Sequence, residues 1–355
     1  MTKRIILTGG GTAGHVTPNL ALIPALRELN YDIHYIGSYA GIEKDLIEPL
    51  GIPYHGISSG KLRRYFSLQN FTDPFRVLKG FGEARKIIKE LKPDVLFSKG
   101  GFVTVPVVTA AKRTKVPAII HESDMTLGLA NRLAMPFAVK VCCSFPETLA
   151  RLSKKKAVLT GTPIRQELFS GCKTTALKLC QFTNGLPIIL VLGGSLGSVA
   201  INKAIRLALP QLLERFQVIH LCGKGKMDSS LTNMSGYAQF EYLSDEFKDV
   251  FAITDLVVSR AGANAISEIL ALKKPNLLIP LSAKASRGDQ ILNARSFEKQ
   301  GYSMLLEEEK LTKESLPQFI NQLYENRCSF IKKMESSSQQ DSIRIIVDLI
   351  QKVQK

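Results

Sequence analysis

IILTGGGTAG at residues 5–14 and IILVLGGSLG at residues 188–197 are the two stretches of this sequence that decide its fold. Six of their ten aligned positions are identical without a gap. In each stretch a short apolar run, long enough for a buried parallel strand, meets a Gly-Gly-x-x-Gly turn and then a helical pattern. The repeat therefore predicts two similar domains that each begin with a strand, a glycine loop and a helix.

Alternating strand and helix patterns continue through both halves, and such alternation predicts an α/β fold with open parallel sheets covered by helices. Glycine and proline at positions 161–163 mark the boundary between an N-terminal domain, residues 1–163, and a C-terminal domain, residues 164–340. We expect a last helix, Ser342–Val353 within residues 341–355, to pack back on the N-terminal domain. The other expected strands are 32–36, 94–97, 118–120, 140–143, 157–159, 217–221, 255–258, 276–279 and 303–305.

Composition narrows the classes of protein to consider. The chain has 355 residues, of which 45% are apolar, and no apolar run approaches the ~20 residues that span a bilayer. The sequence does not begin with a signal-peptide pattern, so a cytosolic location is expected. Six cysteines without CxxC spacing indicate reduced thiols rather than a metal site. The net charge of +16 predicts an anionic partner, which is nucleic acid, an acidic membrane face or a phosphorylated substrate.

The two glycine loops predict phosphate binding, because backbone N–H groups at a helix N-terminus attract anions and glycine permits close approach. Gly9, Gly11 and Gly14 also satisfy the G-x-G-x-x-G pattern of dinucleotide-dependent dehydrogenases. That class needs an acidic residue at the end of the second strand to hold the ribose hydroxyls. Residues 34–38 read HYIGS and contain none, which disfavours a dehydrogenase.

Polar side chains follow several expected strands, at the edge where open α/β sheets bind ligands. His15 comes directly after the first glycine loop, as a candidate base or as a residue that only caps or packs at the turn. Ser98–Gly101, His121–Asp124 and Ser259–Gly262 follow later strands. Arg165 and Arg260 are candidates for a diphosphate clamp, although surface salt bridges are the commoner role of arginine.

Seven ordered blocks then carry a resemblance that covers nearly the whole chain. They are GGGTAGHVTPNLAL at 9–22, SKGGFVTVPVVTAA at 98–111, IIHESD at 119–124 with GLAN at 128–131, GTPIR at 161–165, LGGSLGS at 192–198, SRAGANAISE at 259–268 and GDQILNA at 288–294. In these blocks the sequence resembles the MurG family of bacterial peptidoglycan transferases.

The resemblance implies the GT-B architecture, with two Rossmann-like domains whose parallel sheets face a central cleft. It implies transfer of N-acetylglucosamine from UDP-GlcNAc to the C4 hydroxyl of the muramoyl sugar in lipid I, with inversion, to give lipid II. It also implies that no metal or other cofactor takes part. The N-terminal domain would hold lipid I, and the C-terminal domain would hold UDP-GlcNAc.

The same resemblance assigns site residues, position by position in this sequence. His15 is implied as the general base, and Asp124, which stands where an asparagine is common, is a second candidate. The implied UDP-GlcNAc ligands are Thr12, Gly14, Arg165, Gly194, Ser195, Arg260, Glu268 and Gln290. The implied acceptor ligands are Gly10, Gly11, His15, Glu122 and Asp124.

The basic excess lies in the N-terminal half, where residues 1–163 hold 23 Lys and Arg against 12 Asp and Glu. Within it, residues 61–92 interleave nine basic and three acidic residues with Phe71, Phe75 and Phe81, a mixture that suits the cytoplasmic face of an anionic cell membrane. A solvated loop and helix is the other interpretation.

Three alternatives to the lipid I transferase stay open at this point. They are a related transferase with a diacylglycerol acceptor, a non-catalytic paralogue that binds UDP-sugar, and a nucleic-acid-binding protein, although no recognised motif supports the last.

Overall fold

The computed structural model describes residues 3–60, 69–183, 185–194, 196–283, 288–337 and 341–354, with the backbone alone for residues 69–74. Ser195 and the basic start of the expected membrane segment, residues 61–68, lie outside the described residues. The chain divides into two compact units. Unit 1 comprises residues 1–165 and 339–355, and unit 2 comprises residues 166–338.

Unit 1 is a parallel sheet of seven strands with helices on both faces, and its strand order is β3-β2-β1-β4-β5-β6-β7. The strands are β1 Arg4–Thr8, β2 Asp32–Ser38, β3 Tyr54–Ile57, β4 Val95–Ser98, β5 Ala118–Glu122, β6 Lys140–Cys143 and β7 Ala157–Leu159. The helices are α1 Thr17–Glu28, α2 Ile42–Ile47, α3 Gln69–Leu91, α4 Thr104–Arg113, α5 Leu129–Ala134, α6 Pro146–Ala150 and α14 Ser342–Val353.

The central strand β1 shows why an apolar run without alternation forms this sheet. Its side chains point to opposite faces in turn, and both faces are covered. Ile5 and Leu7 pack with residues of α1 and α14, whereas Ile6 packs with residues of α3 and α4 on the other face. Every apolar residue of β1 is therefore buried, as the sequence predicts for a strand in the middle of a doubly covered sheet.

Unit 2 repeats the arrangement with six parallel strands in the order β10-β9-β8-β11-β12-β13. The strands are β8 Ile188–Leu192, β9 Gln217–Leu221, β10 Tyr237–Phe240, β11 Leu256–Ser259, β12 Asn276–Leu278 and β13 Met304–Leu305. The helices are α7 Lys173–Cys180, α8 Val199–Leu212, α9 Phe247–Ile253, α10 Ala263–Ala271, α11 Asp289–Lys299, α12 Ser315–Glu325 and α13 Arg327–Glu335.

The predicted fold class, two Rossmann-like α/β units, is confirmed. The sequence patterns did not predict two of the strands, which are β3 with the sequence YHGI and β10 with the sequence YAQF. Both are edge strands, and both occupy the same place relative to the central strand of their sheet. An edge strand faces less apolar structure, so it lacks the continuous apolar run by which the others were predicted.

The C-terminal helix α14 packs against α1, and Ile346 and Ile350 enter the same cluster as Ile5 and Leu7. At its start the hydroxyl of Ser342 donates to the carbonyl oxygen of Thr162 at 2.8 Å. The last residues of the chain therefore complete the core of the unit that contains the first residues.

We expect Ile346→Ala to lower the free energy of unfolding of unit 1 by about 2–4 kcal/mol, because the fully buried side chain leaves a cavity beside β1. Urea unfolding followed by far-UV circular dichroism measures the change. Asp348→Ala, at an exposed position of the same helix, is the control and should change stability by less than about 0.5 kcal/mol. Equal losses in both variants would contradict the packing role of α14.

Candidate active site

The first glycine loop is held against the end of β4 by direct contact between backbones. Gly10 N–H donates to the carbonyl oxygen of Gly100 at 3.3 Å. A methyl group on Gly101 would lie 2.2 Å from the carbonyl oxygen of Gly10, and Gly101 has φ +91°, a conformation that side chains disfavour. The loops that follow β1 and β4 therefore form one rigid edge, on which Thr12 and Gly14 are exposed.

Glu43 fills the other side of this loop, although no sequence pattern predicted a role for it. Its carboxylate is fully buried and accepts hydrogen bonds from the N–H of Gly11 at 3.1 Å, the N–H of Ser38 at 2.9 Å and the hydroxyl of Ser38 at 2.6 Å. Glu43 was not predicted because it lies in the first turn of α2 and not at the end of β2. An acidic residue in the first turn of a helix is too common to indicate contact with a glycine loop.

His15 lies in a short 3-10 turn, Ala13–His15, between the first glycine loop and α1. The residue is half-buried, and a methyl group on Gly100 would lie 3.5 Å from its ring Nδ1, so the ring lies against the loop after β4. Burial, helped by the charge of Lys99 and opposed by that of Glu43, lowers the pKa of His15 to about 4. The imidazole is therefore neutral at neutral pH, the form that can accept a proton.

The carboxylate of Glu122 is turned into the protein rather than outward. It accepts from Gly128 N–H at 2.8 Å, Asn131 Nδ2 at 3.0 Å and Asp124 N–H at 3.1 Å. Burial raises the pKa of Glu122. Glu122 shapes the loop after β5, whereas Asp124 is half-buried on that loop.

In unit 2 the glycine loop after β8 is again fixed by a backbone contact. A methyl group on Gly197 would lie 1.9 Å from the carbonyl oxygen of Cys222 at the end of β9. The hydroxyl of Ser198 accepts the N–H of Ile201 at 3.3 Å and caps α8. An N-terminus of this kind, next to the exposed Gly194, presents backbone N–H groups to an anion.

Arg260 braces this loop from the side of β11. Its guanidinium donates to Ser198 Oγ at 2.6 Å and to the carbonyl oxygens of Ile279 at 3.0 Å and Pro280 at 3.2 Å, and it forms an ion pair with Glu308. With only 8% of the residue exposed, these partners occupy much of its donor capacity. The structure therefore gives Arg260 a bracing position beneath the loop.

The other predicted donor ligands are divided between the units. Glu268, on α10, and Gln290, on α11, are half-buried residues of unit 2, which also contains the exposed Gly194. The side-chain Oε1 of Gln290 accepts a hydrogen bond from Leu281 N–H at 3.1 Å. Thr12, Gly14 and Arg165 belong to unit 1. Unit 1 thus gathers His15, Asp124 and the first glycine loop at one sheet edge, and unit 2 gathers the second loop with Arg260.

Comparison with known proteins also divides the chain in two, although the second family match extends into α14, which belongs to unit 1. Residues 5–143 match the family model of the glycosyltransferase family 28 N-terminal domain, and residues 188–350 match that of the C-terminal domain. A crystal structure of MurG from Acinetobacter baumannii covers 99% of both chains with a TM-score of 0.78 at 26% identity. A calicheamicin glycosyltransferase, CalG4, shares the fold alone, with a TM-score of 0.72 at 13% identity over 99% of this chain and 98% of its own.

Two curated relatives are more similar in sequence. One from Lachnoclostridium phytofermentans is 64% identical over 351 residues, which are 99% of each chain. One from Clostridium tetani is 60% identical over 352 residues, 99% of this chain and 98% of its own. Both are named UDP-N-acetylglucosamine--N-acetylmuramyl-(pentapeptide) pyrophosphoryl-undecaprenol N-acetylglucosamine transferase.

Two parallel-sheet units with glycine loops at their strand ends define this protein as a glycosyltransferase of the GT-B architecture. The two family matches favour this class of enzyme over the dehydrogenase alternative. Within that class, the chain belongs to glycosyltransferase family 28 and, in it, to the MurG family.

We expect Glu43→Gln to lower the free energy of unfolding by about 1–3 kcal/mol, because an amide NH₂ replaces one acceptor oxygen of this buried side chain and faces the N–H of Gly11 or Ser38. Urea unfolding measures the loss. Asp45→Asn makes the same change at an exposed position of α2 and should be silent. If both variants are equally stable, Glu43 does not hold the loop.

Proposed function

We propose that this protein transfers N-acetylglucosamine from UDP-GlcNAc to the C4 hydroxyl of the muramoyl sugar in lipid I and so forms lipid II. The observation that carries the proposal is the 64% identity, over 99% of each chain, with a relative named for this transfer.

Unit 2 takes the donor in this proposal. The capped N-terminus of α8 and the exposed Gly194 suit the diphosphate of UDP-GlcNAc, because N–H groups there point toward an anion and stabilise the charge that develops as UDP leaves. Glu268 accepts the ribose hydroxyls and Gln290 contacts the sugar. Arg260 acts mainly through Ser198, since it holds the start of α8.

Unit 1 takes lipid I in this proposal, with its diphosphate near the first glycine loop. The C4 oxygen attacks C1 of N-acetylglucosamine, the C1–O bond to UDP breaks with inversion, and the hydroxyl proton passes to a base. His15 is that base, because its neutral ring lies beside the loop, and Asp124 is the second candidate.

We expect the protein to release UDP from UDP-GlcNAc only when lipid I or a synthetic analogue is present, as measured by radiolabelled transfer. His15→Ala should lower kcat by about 10²–10⁴-fold while leaving UDP-GlcNAc binding intact. Asp124→Asn decides between the two bases, since it should cost less than about tenfold if His15 is the base.

His55→Ala is the matched control, because this histidine lies on the edge strand β3 and not in the loop. Transfer to diacylglycerol instead of lipid I would show that the protein is the related transferase with a diacylglycerol acceptor. Binding of UDP-GlcNAc without turnover, both in the parent protein and in His15→Ala, would show that the protein is the non-catalytic paralogue.

Membrane contact through α3, at the cytoplasmic face, is a further part of the proposal. Phe75 and Leu78 are 74% and 66% exposed on this helix, and the exposed basic residues Arg76 and Lys79 lie next to them. Apolar side chains that dip into the interface and cations that meet anionic headgroups together favour peripheral binding. Among the described residues no helix combines the length and apolarity needed to cross a bilayer.

We expect Phe75→Ser combined with Leu78→Ser to weaken binding to vesicles of anionic lipid by tenfold or more, because each lost side chain forfeits about 1.5–3 kcal/mol of burial. Cosedimentation with the vesicles measures it. Leu207→Ser, at a 54% exposed position of α8, is the control. Unchanged binding of the double variant would exclude α3 as the contact.

A further inference from the structure

A further glycine-rich segment, GKGK at residues 223–226, follows β9 and lies against the second glycine loop. A methyl group on Gly223 would lie 2.5 Å from the carbonyl oxygen of Leu196 and 2.7 Å from the backbone nitrogen of Gly197. Gly223 has φ +90°, a conformation that side chains disfavour. The backbone of this segment, called the GKGK loop below, therefore touches the chain directly before α8.

Two side chains of α8 hold the GKGK loop in place. Asn202 Nδ2 donates to the carbonyl oxygen of Cys222 at 2.9 Å, and Arg206 donates to the carbonyl oxygen of Lys226 at 2.5 Å. Within the loop, the N–H of Lys226 donates to the carbonyl oxygen of Gly223 at 3.1 Å. The backbone of Lys226 is thus fixed beside α8, about two turns after the helix begins.

The side chain of Lys226 runs back from this point toward the start of the same helix. Its Nζ donates to the carbonyl oxygen of Leu196 at 2.7 Å and to that of Gly197 at 3.4 Å, and the residue is half-buried. Two consecutive carbonyl oxygens therefore meet one ammonium group, and hydrogen bonds from a charged donor are stronger than neutral ones. Lys226 joins the body of α8 to the two residues at the end of the second glycine loop.

These hydrogen bonds decide which way the peptide groups of the loop point. In a trans peptide the C=O and the N–H point in opposite directions. Because the carbonyl oxygens of Leu196 and Gly197 face the ammonium of Lys226, the N–H groups of Gly197 and Ser198 point away from it. Gly197 has φ +69° and carries no side chain that would resist rotation of its peptides, so their orientation needs an external hold.

We propose that Lys226 is a positioning residue for the diphosphate of the donor. It holds the carbonyl oxygens of Leu196 and Gly197 on the side away from the ligand, so that the backbone N–H groups at the start of α8 meet the phosphates and the charge that develops as UDP leaves. The inference rests on the proposed function, in which unit 2 binds UDP-GlcNAc. Lys226 itself touches no substrate in this scheme and acts through the loop.

The test compares two ligands that differ only in the diphosphate, UDP and uridine, by calorimetric titration. Lys226→Met should raise the dissociation constant of UDP by about tenfold, the scale of one hydrogen bond to a charged group, and leave that of uridine within about twofold. Lys226→Arg keeps a charged donor and should restore UDP binding to within about threefold of the parent protein. Lys203→Met, at an exposed position of α8, is the control and should bind both ligands as the parent does.

Hydrogen exchange of the ligand-free protein distinguishes a hold on the loop from direct contact with phosphate. If Lys226 fixes the peptides of Leu196 and Gly197, Lys226→Met should speed exchange of the amides in residues 196–201 by about tenfold before any ligand is added. Lys203→Met should leave that exchange unchanged. Weaker UDP binding with unchanged exchange would mean that the ammonium meets the phosphate itself, and it would overturn the positioning role.

The remaining outcomes separate this inference from the proposed function. Unchanged UDP binding in Lys226→Met, or equal weakening of UDP and uridine, would overturn the inference, while transfer activity of the parent protein still supported the proposed function. A parent protein that binds neither UDP nor UDP-GlcNAc would instead overturn the proposed function. If far-UV circular dichroism shows that Lys226→Met is unfolded, Lys226→Gln, which removes the charge but keeps a polar end, takes its place with the same expected differences.

Discussion

Close backbone contact at two glycines is the constraint on which both units depend. In unit 1 a side chain on Gly101 would collide with the carbonyl oxygen of Gly10, and in unit 2 a side chain on Gly197 would collide with that of Cys222. These contacts fix the loops after β1 and β8 against the end of a neighbouring strand. Because a backbone carbonyl cannot rotate away as a side chain can, a side chain at either glycine would force the backbone to shift, and glycine permits the close approach.

The two units use this constraint in mirrored ways. In unit 1 the backbone contact comes from the side of β4, and a buried charge, Glu43, fills the side of β2. In unit 2 the backbone contact comes from the side of β9, and a buried charge, Arg260, fills the side of β11. Each loop is held between a neighbouring backbone and an ionic side chain. A buried charge of this kind is tolerated because hydrogen-bond partners are supplied inside its own unit, by the loop and by neighbouring strand ends.

Two charged residues at the strand ends, Glu122 and Arg260, are buried and hydrogen-bonded within their own units. Glu122 was expected to face the acceptor, and Arg260 was expected to clamp a diphosphate, yet both spend their hydrogen-bonding capacity on backbone and side chains of their own unit. His15, in contrast, is half-buried at the edge of the sheet. The extent of burial and the number of hydrogen-bond partners distinguish Glu122 and Arg260 from His15. Neither quantity can be inferred from the residue type.

The sequence by itself determined the two-unit α/β fold, the central strands and the last helix, because buried parallel strands need continuous apolar runs and their glycine turns repeat at residues 5–14 and 188–197. It also placed His15 and Asp124 at strand ends. Only the tertiary structure decided that β3 and β10 complete the sheets and that Glu43 occupies the first loop. These features depend on contacts between residues far apart in the chain, and no local pattern encodes which side chain a loop will meet after the sheet has formed.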